Sequence, residues 1–255
     1  MPVGVPQDPA QRRWTPELLA AAVTRRTRAI YLCNPHNPTG HAFTGQELEW
    51  IAEAAERDNL RIFSNELHSR TMLDRPHIPV AGISESTARR TLTFSGATKS
   101  HNIAGIGGSF LFSHDAELVD RARKDLSIRV PTARSLQQAA LRAAYQEDSP
   151  WLLRTRRTIR ESRDLICRAL SSAAPWIKFD QPLATYFLWL RWGDSGSNFD
   201  ARDELFRRCG IVGLPGAYFG ADKSFARVAF ATDAATIEDV VGRLHLGLGL
   251  KEELL

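Results

Sequence analysis

The sequence predicts an α/β protein: a large domain with a mixed, mostly parallel sheet, followed by a smaller α+β domain at the C-terminus. Two observations carry this. In the first half, short apolar runs of strand type alternate with segments of helical period, and strands separated by helices imply a parallel or mixed sheet covered on both faces. Near residue 150 the pattern gives way to a long arginine-rich helical stretch, and a shorter set of strands and helices follows it. The expected division is a large domain over 1–150 and, over 151–255, a connecting helix with a small domain.

Taken in order, RAIYLC from Arg28 to Cys33 reads as a buried strand. Thr44 to Asn59 reads as an amphipathic helix capped by Thr44, with Glu47 three residues on completing a capping box. LRIFS (Leu60 to Ser64) is the next strand, which makes a βαβ unit. TLTFS (Thr91 to Ser95) and GSFLFS (Gly108 to Ser113) add two strands, and a helix runs from about His114 to Leu126. In the second half a helical pattern runs from about Trp151 to Ser171. ATYFLWLRW (Ala184 to Trp192) is a strand, FDARDELFRRCG a helix ended by Gly210, SFARVAFAT a strand, and ATIEDVVGRLHLGL a last helix.

The 255 residues, 43% hydrophobic and 24% charged, are those of a folding globular protein. No run approaches the ~18 apolar residues of a membrane span, and the first residues lack the apolar centre of a secretory signal, so a cytoplasmic protein without membrane contact is expected. Cys33, Cys167 and Cys209 form neither a disulfide framework nor a metal pair, so no metal is expected. The net charge of +4 arises from 33 basic and 29 acidic residues, a small excess over a balanced background. The densest basic run, Arg154, Arg156, Arg157, Arg160 and Arg163, has helical spacing with Glu161 and Asp164 among it. It reads as a solvated helix face, and nucleic acid is set aside.

In open α/β sheets, ligands bind at the carboxyl ends of the strands, so the residues after each strand carry the chemistry. After RAIYLC comes NPHNPTG, a Pro-stiffened turn that leaves Asn37 as a polar arm. After LRIFS come Asn65, Glu66, His68 and Arg70. After TLTFS comes Ser95-Gly96-Ala97-Thr98-Lys99 ahead of a glycine-rich stretch. Lys99 is one of only five lysines against twenty-eight arginines. A desolvated lysine attacks a carbonyl as the free amine, which arginine cannot do, so Lys99 points to Schiff-base chemistry. A phosphate loop of the G-x-x-x-x-G-K-[ST] type is excluded, because Thr98 precedes the lysine and no glycine pair brackets it.

The order of LCNPHNPTG, SNELHS, SGATKSHNIAG, ATYFLWL and FARVAFAT resembles the class I/II aminotransferase family of fold type I, nearest its cystathionine β-lyase and C–S lyase branch. The resemblance implies the aspartate aminotransferase fold, with 1–150 as the cofactor-binding domain, and pyridoxal 5′-phosphate (PLP) as cofactor. It implies that Lys99 forms the Schiff base and moves the proton at Cα, and that Asn37 and His68 flank the phenolic oxygen of PLP. Arg227 then binds the α-carboxylate of an amino acid substrate through a two-pronged ion pair, and Ser95 and Thr98 contribute to the phosphate site. Transamination and C–S β-elimination remain equally open.

Three departures from the family pattern bear on activity. Asn65 stands where the family carries the aspartate that keeps the pyridine nitrogen protonated; an amide can bond the nitrogen but supplies no charge. Glu66 does not replace it, since adjacent side chains on an extended segment point to opposite sides. Gly96 and Gly107 stand at positions that commonly serve the phosphate. Finally, the resemblance places about the first third of the family's length, with its phosphate-cup helix start, before this sequence. A homodimer, or a partner chain supplying that N-terminal segment, is the implied assembly. The competing expectation is a cofactor-impaired family member acting as a binding or structural subunit.

Overall fold

The computed structural model describes residues 1–5, 14–130, 132–146, 149–193 and 199–249. The chain divides into two compact units. The first comprises Met1–Pro35, Ala42–Arg70 and Pro76–Asp148; the second comprises His36–His41, Thr71–Arg75 and Ser149–Leu255.

The first unit is built on a four-stranded sheet in the order β1 (Ala29–Cys33), β2 (Arg61–Asn65), β3 (Thr91–Ser95), β4 (Phe110–Phe112). β1, β2 and β3 are parallel and β4 is antiparallel, so the sheet is mixed and mostly parallel. α1 (Pro16–Ala22) precedes β1, and α2 (Gly45–Arg57) forms the crossover to β2. The capping box that begins α2 is complete: Thr44 Oγ1 accepts the Glu47 backbone N–H at 3.2 Å, and Glu47 Oε2 accepts the Thr44 N–H at 2.7 Å. Leu48, Ile51 and Ala55 of α2 and Leu19 of α1 pack on Leu32 and Ile62, which share one face of the sheet. α3 (Glu85–Arg90), α4 (Ala116–Arg129) and α5 (Ser135–Gln146) complete the unit.

The expectation of a sheet covered on both faces holds only in part. The face opposite Leu32 carries Tyr31, Phe63 and Leu92 in register; Tyr31 on the edge strand is 69% exposed, whereas Leu92 on β3 is buried. The physical reason is that α1 and α2 pack on the same side, while α4 contributes no buried residue.

The second unit holds a three-stranded antiparallel sheet in the order β5 (Phe187–Arg191), β7 (Phe225–Ala229), β6 (Leu214–Pro215). α6 (Pro150–Ala173), α7 (Ala201–Cys209) and α8 (Ala234–Leu248) supply Ile166, Leu170, Leu205, Ile237 and Leu244 to a core with Leu188, Leu190, Ala226 and Val228 of the strands. α7 is capped by Asp200, whose side chain accepts the Arg202 and Asp203 N–H groups, and it ends at Gly210 in the left-handed region at φ 65°. Two short segments of the first 150 residues belong to this unit for a local reason. Gly40 O accepts the Leu183 and Ala184 N–H groups, and Leu73 N–H and Thr185 N–H bond Leu183 O and Thr71 O.

Arg163 does not lie on a solvated helix face. Its side chain is 3% exposed, and its guanidinium donates to both carboxylate oxygens of Asp74, to Asp164 Oδ1 at 2.8 Å and to Pro182 O at 3.0 Å. Arg154, Arg157 and Arg160 are exposed as expected, so one member of the run faces inward and ties the Thr71–Arg75 segment to α6. The guanidinium is buried but Asp74 and Asp164 are each 34% exposed, so breaking this network costs about 1–3 kcal/mol, less than for a fully buried pair. We expect Arg163→Leu to lower unfolding free energy by about that amount in urea titrations, against less than about 0.5 kcal/mol for Arg154→Ala. Equal effects of the two would contradict the assignment.

Candidate active site

In the first unit the polar groups gather at the carboxyl ends of β2 and β3. Asn65 closes β2; its Oδ1 accepts the Leu67 N–H at 3.2 Å, and its Nδ2 lies 3.5 Å from Tyr31 Oη. Glu66 faces the other way, as strand alternation requires. It is buried, accepts from Ser64 Oγ at 2.8 Å, and its second oxygen meets His77 Nε2 at 2.8 Å. His68 is also buried in the turn that follows.

At the end of β3, Ser95 is buried with its hydroxyl 3.1 Å from Tyr145 Oη of α5. Gly96 is favoured by close approach: a Cβ there would lie 3.1 Å from Gly108 O and 3.3 Å from Leu67 Cδ2 and Ser109 Cα, so its neighbours would have to give by a few tenths of an ångström. The Lys99 turn is thereby held against the Gly108 strand entry. Thr98 is half-buried, whereas Lys99 is exposed and, among the described residues, has no hydrogen-bond or ion-pair partner. The expectation of a desolvated amine is thus corrected.

In the second unit, Asn37 and Arg227 come together although 190 residues apart: Arg227 Nη1 donates to Asn37 Oδ1 at 2.8 Å. Gly40 makes this possible. It sits at φ +69°, and a Cβ there would overlap Pro182 Cβ at 2.3 Å, so only glycine lets the Asn37 turn dock on the Pro182–Ala184 segment. Arg227 projects from β7, where Ala226 and Val228 on either side enter the core. Its guanidinium carbon lies 3.9 Å from the Phe187 ring centroid and 4.8 Å from that of Phe219. Burial lowers its pKa and Tyr186 opposes the shift, while burial raises the Tyr186 phenol. A guanidinium remains charged through such shifts. No carboxylate among the described residues pairs with Arg227.

Tyr31, Tyr145, Phe187 and Phe219 were not singled out from sequence. Tyr31 carried the one available signal, a phenol at an alternating position of an apolar strand. Tyr145 at the end of an alanine-rich helix gave none. Among the described residues no cluster of three or more His, Cys, Asp or Glu is arranged to hold a metal ion, and no helix is long and apolar enough to cross a membrane.

This architecture, a mixed α/β unit and a smaller antiparallel α+β unit, is the fold of the PLP-dependent aminotransferases. The chain belongs to the aminotransferase class I and II family, which it matches over residues 3–244. Cystathionine beta-lyase PatB of Bacillus subtilis (strain 168) is 27% identical over 223 residues, covering 85% of this chain and 57% of that protein. Aspartate aminotransferase of Bacillus sp. (strain YM-2) is 30% identical over 240 residues, covering 90% and 60%. The crystal structure of OvoB matches with a TM-score of 0.85 at 28% identity, over 92% of this chain and 62% of that one. The chain therefore spans less than two thirds of the length of these relatives.

His36, beside Asn37, bears on the charge of this region. Desolvation, with a smaller contribution from His41, pushes its imidazole down to about 4, and Nδ1 lies 2.8 Å from Thr39 Oγ1. His36 is therefore neutral at pH 7 and adds no second cation near Arg227. A lowered pKa means that stability is fully present above the ordinary value near 6.5 and is lost as pH falls through about 4. An NMR titration of the imidazole should give a midpoint near 4, and one near 6.5 would contradict this environment.

Proposed function

We propose that this protein is a PLP-dependent enzyme acting on an amino acid, as an aminotransferase or a C–S β-lyase. The observation that carries the reading is the Arg227–Asn37 hydrogen bond. A fixed, half-buried guanidinium with no carboxylate partner among the described residues is suited to an anion, and it is joined to the asparagine of the family's NPHNPTG turn.

The donors of each unit suit parts of the cofactor and substrate. In the first unit, Lys99 offers a primary amine, unpartnered among the described residues, for an aldehyde, and Asn65 an amide nitrogen for a ring nitrogen; in the second, Asn37 offers an amide nitrogen and Arg227 a guanidinium for a carboxylate. The bound cofactor supplies an aldehyde that takes up amines and an aromatic ring that draws electrons from a breaking Cα bond.

Lys99 Nζ provides the amine and serves as base at the substrate Cα–H. Asn37 uses its oxygen toward Arg227, so its Nδ2 would be left to donate to the phenolic oxygen, a role that the family resemblance also gives to His68. Arg227 holds the α-carboxylate through two parallel N–H donors, which orients the bonds at Cα. Thr98 and Ser95 provide hydroxyls for the phosphate; the contact of Ser95 with Tyr145 Oη brings that phenol into the same group.

Three further assignments belong to the proposal: a large domain over 1–150 with a connecting helix and small domain over 151–255, a homodimer or a partner chain completing the assembly, and a cytoplasmic location. No disulfide joins Cys33, Cys167 and Cys209; burial raises the Cys167 thiol to about 11 and raises Cys209 too, which makes both poor nucleophiles.

Added PLP should produce a visible absorption band that is absent in Lys99→Ala. Arg227→Gln should retain the band but weaken its response to added amino acids by roughly 100-fold, the loss of a charge-assisted bidentate contact. A band of equal strength in Lys99→Ala would contradict the reading.

A further inference from the structure

We propose, resting on the cofactor reading above, that Asn65 holds the pyridine nitrogen of the bound cofactor in its unprotonated form. The geometry fixes which way the amide faces. The Leu67 backbone N–H is only a donor, so the atom it meets at 3.2 Å is the amide oxygen, and the amide nitrogen is turned away. Reversing the amide would set donor against donor and forfeit that hydrogen bond.

Asn65 therefore presents N–H groups. One of them points toward Tyr31 Oη at 3.5 Å, which makes Tyr31 a positioning residue for the amide. A protonated ring nitrogen is itself a donor and would meet Asn65 N–H to N–H; an unprotonated one offers a lone pair and accepts.

The adjacent carboxylate, Glu66, does not reverse this. It lies on the other side of the strand, committed to Ser64 Oγ and His77 Nε2 at 2.8 Å each. Glu66 therefore presents no charge on the Asn65 side of β2 that would raise the affinity of the ring nitrogen for a proton. The ring consequently withdraws electrons less strongly than one held by a carboxylate.

The test is ¹⁵N NMR of the protein loaded with PLP labelled at the ring nitrogen. The wild type should give the shift of a neutral pyridine at neutral pH, and Asn65→Asp should move it to that of a pyridinium. A pyridinium shift in the wild type overturns the proposal. So does a neutral shift in a folded Asn65→Asp, since the residue then does not govern the nitrogen. Should Asn65→Asp fail to fold, the wild-type shift decides alone. Absence of any bound signal, together with absence of the visible band, removes the cofactor reading itself and this inference with it, a result distinct from a bound pyridinium.

Discussion

Two asparagine side chains are oriented by the same constraint: a group that can only donate takes the amide oxygen and leaves the amide nitrogen facing away. For Asn37 the donor is the Arg227 guanidinium, and for Asn65 it is the Leu67 backbone N–H. Each orientation is set by the fold, because Arg227 stands on β7 and Leu67 follows β2 directly. The chemistry read from the site depends on this. In the first unit the Asn65 amide nitrogen is thereby turned outward, and in the second the Arg227 guanidinium is left without a carboxylate among the described residues.

The charges around these groups are arranged to leave them available. His36 is kept neutral by its surroundings, and Glu66 is buried on the far side of its strand against Ser64 and His77. Arg163, the buried cation of the second unit, is saturated by Asp74, Asp164 and a carbonyl. Lys99 and Arg227 lack acidic partners among the described residues, and this separates them from the many arginines paired on helix surfaces, such as Arg89 with Glu85 or Arg243 with Asp239. Exposed pairs of that kind contribute little to stability and nothing to recognition.

Much of this was legible in the sequence where the cause is local. The Thr44–Glu47 box, the Gly210 stop and the alternation that separates Asn65 from Glu66 follow from backbone geometry over a few residues, and each is found in place. Where the cause is tertiary, the sequence misled or was silent. Arg163 belonged by period to a solvated run, but its partners come from residue 74 and the turn at Pro182. The aromatic rings around Arg227 arrive from β5 and from the segment after β6. The exposure of Tyr31 depends on which side α1 and α2 choose, and a hydrophobic period does not encode that choice.

The account rests finally on the amine of Lys99. Borohydride reduction of the protein in the presence of PLP, followed by mass analysis of the intact chain and of its peptides, tests this most directly. The account predicts one added cofactor per chain, carried on the peptide containing Lys99. An unchanged mass, or a label spread over Lys124, Lys178 and Lys223 with none at Lys99, would contradict it.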